Sequence, residues 1–436
     1  MSIENEAGKR MYEFASRIFP YNRSITGEGV RQTLSDISDY IASSGTELKI
    51  SSVPSGTQVF DWTVPKEWKI REAYIEDEKG DHIIDMKESN LHVLGYSTPV
   101  DEWVDLDELK KHVYVEENQP DVIPYVTSYY KERYGFCMSK NMLDGLKNGR
   151  YHMYIDSELF DGVLNYAEAV IPGETDEEIM FSTYFCHPSM ADNECSGPAL
   201  AAELINTIAS MDHRRYTYRF VFVPETIGSI TYLSQDDHVK YLQKHLKAGF
   251  VLSCVGDDND YSMIHSRYAD TYADRVLLNV LSYKEKHTIY GFEKRGSDER
   301  QYNAPGVDLP VVCFCRSKFG EFAEYHTSAD NMDFVSPQGF QGAYDAMMEV
   351  VNILEKNAYY RMKVLCEPQL GKRGLYSDIS RKGIYDTILV QRDVISYCDG
   401  KNDLLDLSDR IGVRVSDIID IIDRLIANDL LEETKE

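Results

Sequence analysis

The sequence lacks the features by which several large protein classes are recognised. Its eight cysteines form no Cys-x-x-Cys pair and lie mostly in apolar runs, so we expect reduced, buried thiols rather than a disulfide framework. No apolar run approaches the ~20 residues that cross a bilayer. The acidic first residues have no apolar core of a secretory signal. We therefore expect a cytoplasmic protein with no part in the membrane.

Basic residues are also scarce. The chain has 46 Lys and Arg against 73 Asp and Glu, a net charge of −27. The resulting surface potential repels phosphate backbones and anionic lipid, so we expect neither nucleic acid nor membranes as partners. No Gly-x-Ser-x-Gly nucleophile elbow and no Gly-rich phosphate loop is present, which disfavours serine-hydrolase and nucleotide chemistry.

What is present divides into three parts. The 436 residues, 43% of them hydrophobic, suffice for two or three domains. From about 163 to 360, strands alternate with helices, which predicts an α/β fold: a mainly parallel mixed sheet with helices on both faces.

Short alternating runs and all three tryptophans predict a β-rich insertion with a hairpin at 70–75 and 82–86. Three helical patterns, at 385–397, 404–411 and 416–427, suit a C-terminal winged helix-turn-helix domain. The predicted domains are a catalytic one (1–61 and 161–362), an inserted one (62–160) and a winged-helix one (363–436).

Four loops that follow predicted strands of the α/β part carry residues of the kind that bind metals. These are His187 and Asp192 after the run 178–185, Glu225 after 218–223, Asp257 after 248–255, and His326 after 309–315. Ligands of open parallel sheets bind beyond the carboxyl ends of the strands, so we expect these side chains to converge. Two neutral imidazoles with carboxylates form a set that binds Zn²⁺ and leaves a position for water. One or two ions would then support hydrolysis, with a nearby glutamate moving the proton.

The order of these residues resembles the di-zinc aminopeptidase family of the bacterial leucyl aminopeptidase and glutamate carboxypeptidase type. The resemblance lies in His187, in Ala-Asp192-Asn with Ser-Gly after it, in a Glu before Gly-Ser, and in Tyr-His326-Thr-Ser-Ala-Asp. The segments 23–31 and 296–301 are similar to an aminopeptidase-like branch with an inserted β domain and a C-terminal winged helix, so the resemblance covers nearly the whole chain. It implies that His187 binds one zinc, that Asp192 bridges, that His326 binds a second zinc, and that a cis peptide bond follows Asp192.

The chain departs from this family at the glutamates. The family has two in succession, a base and then a ligand, whereas here Pro224 precedes the single Glu225. We assign Glu225 as a metal ligand. The general base stays open between Glu225 and Glu194, with Glu299 as a further candidate.

A second departure concerns the next strand. The aspartate ligand of the family falls near Ser253, which cannot replace it, so Asp257 is the nearest substitute. Asp298 and Tyr325 are candidates for substrate binding. Asp298 either orients His326 or meets the substrate amine, and a structural ion pair explains it equally well.

The C-terminal segment raises the alternative of a DNA-binding regulator. From residue 365 onwards it has ten Lys or Arg and fifteen Asp or Glu, and the candidate recognition helix repeats Asp417, Asp420 and Asp423 on one face. Such a stripe of carboxylates does not approach phosphates without compensation. We expect the module to pack against the enzyme or to mediate homo-oligomerisation instead.

These observations predict a zinc-dependent hydrolase that cleaves an amide bond, an aminopeptidase acting on peptides. One alternative is a metal-dependent amidohydrolase or deacylase of surface-polysaccharide metabolism, a process with which members of the resembling branch are associated. A non-catalytic binding protein is the other alternative, because one glutamate stands where the family has two.

Overall fold

The computed structural model describes residues 6–375 and 384–434. Two compact units are found, one made of Met1–Ala273 and Thr288–Tyr344 and the other of Asp274–His287 and Asp345–Glu436. Within the described ranges, no helix has both the length and the apolar character that spanning a membrane requires.

The helices, in chain order, are α1 (Glu6–Ile18), α2 (Glu28–Ile41), α3 (Leu106–Leu109), α4 (Lys140–Gly145), α5 (Ser196–Ala209), α6 (Ile227–Ser234), α7 (His238–His245), α8 (Tyr272–Ser282), α9 (Glu299–Tyr302), α10 (Pro337–Lys356), α11 (Ile384–Tyr397), α12 (Leu404–Ile411) and α13 (Val415–Ala427).

The strands are β1 (Leu48–Pro54), β2 (Gln58–Val59), β3 (Trp62–Thr63), β4 (Glu67–Asp77), β5 (His82–Asp85), β6 (Val100–Asp105), β7 (Val113–Tyr114), β8 (Phe136–Cys137), β9 (Arg150–Phe160), β10 (Val163–Ile171), β11 (Glu178–Tyr184), β12 (Thr217–Val223), β13 (Leu246–Leu252), β14 (Ser262–Ile264), β15 (Thr288–Tyr290), β16 (Val311–Cys315), β17 (Tyr359–Met362) and β18 (Leu431–Thr434).

The first unit is built on an eight-stranded sheet of order β1-β10-β12-β11-β13-β16-β14-β15. Its four central strands, β12, β11, β13 and β16, are parallel, and antiparallel strands join at both sides. The predicted mainly parallel mixed sheet is therefore confirmed. Because β11 lies between β12 and β13, the chain crosses from one side of β11 to the other, and the loops after these strands lie side by side.

The central strands are held by continuous apolar runs, as strands covered on both faces require. Every residue of β11 is buried. The ring of Phe181 lies 5.3 Å from that of Phe220 and 5.5 Å from that of Phe250, so one aromatic layer crosses three neighbouring strands.

The preference of serine for helix caps predicts Ser196 as the cap of α5, and the structure differs from this prediction. A π-helical turn, Ala191–Cys195, precedes α5, and Ser196 lies inside the helix with its hydroxyl donating to the carbonyl of Asp192. The cap prediction was wrong because the helical backbone begins earlier than the first good capping residue. The same hydroxyl accepts from the backbone N–H of Val255 at 2.9 Å, which ties this turn to the loop after β13.

Helix α5 begins unusually close to the sheet. A Cβ atom added at Gly197 would lie 2.1 Å from Oγ1 of Thr183 on β11 and 2.7 Å from the carbonyl oxygen of Leu252 on β13. Only glycine allows this approach, and the approach sets the position of the loop before the helix.

Residues 62–160 contribute a separate antiparallel sheet of order β5-β4-β9-β6, still within the first compact unit. The predicted hairpin is formed by β4 and β5. Trp68 of β4 is buried and stacks on Tyr96, with ring centroids 5.7 Å apart.

The second unit contains α11, α12 and α13 with the antiparallel pair β17 and β18. A capping box formed by Asp403 and Asp406 begins α12, and Gly412 in the left-handed conformation ends it. The three helices lie close to their predicted positions, and their order with the terminal strand is that of a winged helix-turn-helix.

We expect Gly197→Ala to lower the free energy of unfolding by about 1–3 kcal/mol, the usual cost of overpacking. Denaturant unfolding followed by circular dichroism measures this difference. Gly145→Ala is the matched control, because nothing lies within 4 Å of a Cβ added there. Equal stabilities of the two variants would contradict the close approach of α5.

Candidate metal centre

The candidate site begins where two central strands end side by side. Tyr184 and Val223 are paired at the ends of β11 and β12, so the residues that follow them are neighbours. The backbone N–H of Glu225 donates to the sulfur of Cys186 at 3.2 Å. The register of the sheet thus brings Glu225 next to Cys186 and His187.

His187 is buried and faces two carboxylates. Its Nδ1 is in contact with Oε1 of Glu194, and its Nε2 lies 3.7 Å from Oε2 of Glu225. A carboxylate on one imidazole nitrogen fixes the tautomer and leaves the other nitrogen for a metal, which is the usual arrangement behind a metal-binding histidine. Glu194 is the carboxylate that takes this place behind His187.

His326 lies beside His187, with ring centroids 5.1 Å apart. Tyr325 stacks on the imidazole of His326 at 3.9 Å. Burial lowers the pKa of His326 to about 4. Burial, followed by the charges of His326 and Arg23, lowers the pKa of His187 well below its usual value. Both rings are therefore neutral near pH 7, the state in which an imidazole binds a metal.

Asp192 lies in the turn before α5, fully buried. Its Oδ1 accepts from the backbone N–H of Gly256 at 2.7 Å, whereas its Oδ2 has no hydrogen-bond partner. The carboxylate of Asp330 accepts the backbone N–H groups of Asp192 at 2.7 Å and Asn193 at 3.0 Å. This ties the His326 loop to the Asp192 loop. The peptide bond between Asp192 and Asn193 is trans, so the cis bond expected from the resemblance is absent.

Asp257 has a different environment from the one its predicted role requires. Its two oxygens accept from the N–H and the hydroxyl of Ser317, each at 2.8 Å, and from the N–H of Asn259 at 2.7 Å. No described contact joins it to His187 or His326. The structure gives Asp257 a role in holding the loop after β13 to the loop after β16.

Asp298 and Glu299 lie fully buried behind Glu225. Asp298 accepts from the N–H of Thr226 at 2.7 Å and from the hydroxyl of Ser229 at 2.9 Å. Thr226 has a φ of 63°, a strained conformation for a β-branched residue, and Asp298 holds it there. Glu299 accepts the N–H groups of its own loop, including that of Gly296 at 2.7 Å. The contacts therefore place Asp298 behind the segment that carries Glu225, and no described contact links it to His326.

Glu225 is one of three carboxyls of this region, with Asp298 and Asp330, whose pKa is raised to about 7 or 8. Burial, followed by the charge of Asp298, raises the pKa of Glu225 to about 8. A group that titrates near the working pH is suited to taking up and returning a proton.

Some of the candidate donor atoms lie close enough together for one zinc ion, but the group that does so does not include His326 or Asp192. Within the ranges that the structure describes, one group of three potential metal ligands has all its ligand atoms within 4.8 Å of one another: Cys186, His187 and Glu194. Two atoms bound to one tetrahedral zinc stand about 3.3 Å apart, close to the separation of Nε2 of His187 from Oε2 of Glu225. Three buried atoms of the candidate site have no hydrogen-bond partner, namely Oδ2 of Asp192, Oε2 of Glu194 and Nε2 of His326.

The sequence prediction missed several residues that build the site. Cys186 lies beside Glu225 and next to His187, because β11 ends at Tyr184 and the alternation of faces ends with it. Arg23 is buried and donates to the carbonyl oxygen of His187 at 3.2 Å and to the sulfur of Cys195 at 3.2 Å. The segment 23–31 was noticed in the sequence, but nothing in it showed which loop it would contact.

Comparison with known proteins agrees with this architecture. A protein of Clostridium acetobutylicum, named provisionally as a polysaccharide biosynthesis protein with an aminopeptidase-like domain, is 42% identical over 431 residues, which cover 98% of this chain and 97% of that protein. The crystal structure of a provisionally named peptidase from Clostridium acetobutylicum has a TM-score of 0.91 at 41% identity, covering 99% of this chain and 97% of that one. BSAP, a zinc aminopeptidase from Bacillus subtilis, has a TM-score of 0.57 at 12% identity over 80% of this chain and 95% of its own, which shows a shared fold.

Two family models match the chain. Residues 357–433 match a winged helix-turn-helix model. Residues 12–357 match the model described as a domain of unknown function, DUF4910. The chain therefore belongs to the DUF4910 family, with an aminopeptidase-like fold followed by a winged helix-turn-helix domain.

Proposed function

We propose that this protein is a zinc-dependent amide hydrolase that acts as an aminopeptidase. One observation carries the proposal: two neutral imidazoles, those of the buried His187 and the partly buried His326, stand with their rings 5.1 Å apart beside a carboxyl whose pKa is raised to about 8. Structural histidines in a protein core normally find hydrogen-bond partners. Here Nε2 of His326 has none.

The residues that would hold the ion are the imidazoles of His187 and His326 and the unpartnered oxygen of Asp192. Glu194 would orient His187 through Nδ1. Zinc supplies Lewis-acid polarisation of a carbonyl and lowers the pKa of water towards neutrality.

Glu225 would take up the proton released from the attacking water and deliver it to the leaving amine. Its position 3.7 Å from Nε2 of His187 is compatible with a ligand as well as with a base. Asp192 offers an unpartnered oxygen as the carboxylate ligand, so we assign Glu225 as the base. Asp298 and the loop after β12 would hold Glu225 in place.

The proposed preference for a free amino terminus rests on carboxylates that have an oxygen without a hydrogen-bond partner. Oδ2 of Asp298 and Oε2 of Glu299 are buried and without partners. Both residues have no exposed surface, so they would attract a substrate ammonium group near Glu225 by charge and not through a hydrogen bond. Tyr325, stacked on His326, would form a wall of the same pocket.

A second candidate function is hydrolysis of an N-acyl group on a sugar. It is favoured by the name of the relative with 42% identity, which refers to polysaccharide biosynthesis. Aminoacyl anilides and N-acetylated sugars, compared as substrates of the zinc-loaded protein, distinguish the two. Turnover of the sugars alone would exclude the aminopeptidase.

The winged-helix domain gives no support to a function on DNA. Asp417, Asp420 and Asp423 are exposed together on α13, while four of the five isoleucines of that helix are buried. Lys356, in the same unit, pairs with Asp423 at 3.0 Å. We infer that this face contacts protein rather than nucleic acid, either in this chain or in a second copy.

His187→Ala and His326→Ala should each remove zinc from the purified protein. Loss of a direct ligand should weaken zinc binding by more than the ~10–100-fold typical of changes behind the ligands, which is the loss expected for Glu194→Gln. Metal analysis and competition with a chelator measure both effects. His213→Ala is the control, since that side chain is 88% exposed. Full zinc content in both variants would refute the assignment.

Glu225→Gln should retain zinc while kcat falls by about 10²–10⁴-fold, the usual contribution of a general acid–base group. Steady-state rates and metal content are measured on the same sample. Loss of zinc together with activity would instead identify Glu225 as a ligand.

Zinc affinity should increase as the pH rises towards 8 and level off above it. In the metal-free protein the pKa of Glu225 is raised to about 8, so the carboxyl holds a proton that a nearby cation displaces. The same shift makes the metal-free fold less stable as the pH rises from 4.5 to 8, because the folded state binds that proton more tightly than the unfolded chain. Calorimetric titration with zinc in buffers of different ionisation heat counts the released protons. Glu225→Gln should release fewer, and an unchanged count would contradict this account.

A further inference from the structure

A segment from the inserted region reaches the candidate metal centre. The backbone N–H of Tyr125 donates to the carbonyl oxygen of His326 at 2.8 Å. Two further bonds, from the N–H of Ser328 to the carbonyl of Ile123 at 2.9 Å and from the N–H of Ile123 to the hydroxyl of Ser328 at 3.0 Å, fix the two chains side by side. The His326 loop is thus held in part by residues far from the central sheet.

The ring of Tyr125 touches both imidazoles. Its centroid lies 4.6 Å from that of His187 and 5.2 Å from that of His326, and the interplanar angles are 86° and 81°. Such edge-to-face contacts are favourable and orient the rings. The side chain is therefore part of the wall of the metal centre.

The hydroxyl of Tyr125 is coupled to a second hydroxyl. It lies 2.7 Å from that of Tyr129, and either can be the donor. Two phenols carry two O–H hydrogens, and the bond between them uses one. The hydroxyl of Tyr129 also interacts with that of Thr127. When Tyr129 donates to Tyr125, the hydrogen of the Tyr125 hydroxyl is left for a further acceptor.

Both hydroxyls retain their protons at neutral pH. Burial, followed by the neighbouring hydroxyl of Tyr129, raises the pKa of Tyr125 well above its usual value. Burial, followed by the charge of Cys186, raises the pKa of Tyr129 in the same way. Glu225 also contributes to both shifts, which places this pair of hydroxyls in the neighbourhood of the proposed base.

The pair is held rigidly from behind. The ring of Tyr129 packs edge-to-face on Tyr96 at 5.3 Å, and the hydroxyl of Tyr96 lies 2.6 Å from that of Thr26. Trp68 stacks on the other side of this group. A donor whose surroundings are packed in this way is preorganised and does not reorganise when it meets an oxyanion.

We propose that Tyr125, supported by Tyr129, is a catalytic residue that donates a hydrogen bond to the substrate oxygen on which negative charge develops during amide hydrolysis. The phenol keeps its proton and donates only a hydrogen bond, so no covalent bond of the tyrosine is made or broken. The proposal rests on the proposed function. It assigns the inserted region a direct part in the chemistry.

The test compares Tyr125→Phe, Tyr129→Phe and the control Tyr130→Phe in the zinc-loaded full chain. Tyr130 is the adjacent tyrosine, exposed, with its hydroxyl bonded to the carbonyl of Thr63. We expect Tyr125→Phe to lower kcat by about 10²-fold with little change in KM, as removal of one oxyanion donor does. Tyr129→Phe should give a smaller loss, because the hydroxyl of Tyr125 remains.

A second readout does not depend on turnover. The phosphonic-acid analogue of leucine presents a tetrahedral anion, and calorimetry measures its affinity for each zinc-loaded variant. Tyr125→Phe should weaken its binding at least tenfold with zinc content and thermal midpoint unchanged, whereas Tyr130→Phe should match the wild type.

Three results would overturn the proposal. The first is phosphonate affinity and kcat of Tyr125→Phe within a factor of two of the wild type. The second is loss of zinc from this variant, which would make Tyr125 a support of the imidazoles only. A wild-type protein that binds zinc but no phosphonate is the third. A protein that binds the phosphonate in a Tyr125-dependent manner yet hydrolyses no amide would contradict the proposed function and leave the hydrogen bond established.

Discussion

The structure of the candidate site depends on one constraint, a set of buried polar atoms that the protein itself does not satisfy. Asp192, Glu194 and His326 each present an atom that is enclosed yet has no hydrogen-bond partner. Leaving such an atom unpaired costs about 1–3 kcal/mol. A bound cation would offset this penalty for each of these atoms that it reaches, because every one of them is a potential metal ligand.

The surrounding contacts maintain this arrangement. Asp330 fixes the turn that carries Asp192, Arg23 holds the carbonyl of His187, and Asp298 holds the strained residue after Glu225. Each contact comes from a different part of the chain and ends on the backbone of a loop at the same edge of the sheet. The inserted region adds Tyr125 from the outside. The parallel strands thus determine where the loops meet, and these side chains determine how each loop is held.

The sequence predicted the sheet and the convergence of its loops well, because the long apolar runs of β11, β12, β13 and β16 and the rule for parallel strands need only local pattern. It predicted the individual contacts less well. The position of Glu194 against His187 depends on the π-helical turn before α5, which has no recognisable sequence signal. Asp257 was chosen for its distance in the sequence from the missing family ligand, and Ser317, which occupies its oxygens, comes from a loop 60 residues away. The position of Tyr125 at the site could not be predicted from the sequence, because pairing of the inserted segment with the His326 loop is a tertiary contact.

Anomalous scattering at the zinc absorption edge, from crystals grown with zinc, tests the central claim most directly. We expect a peak within bonding distance of Nε2 of His187 and Nε2 of His326, with a carboxylate oxygen of Asp192 completing the coordination. A map with no peak between the two imidazoles, or one in which both rings are hydrogen-bonded to protein donors and the zinc lies elsewhere, would contradict it.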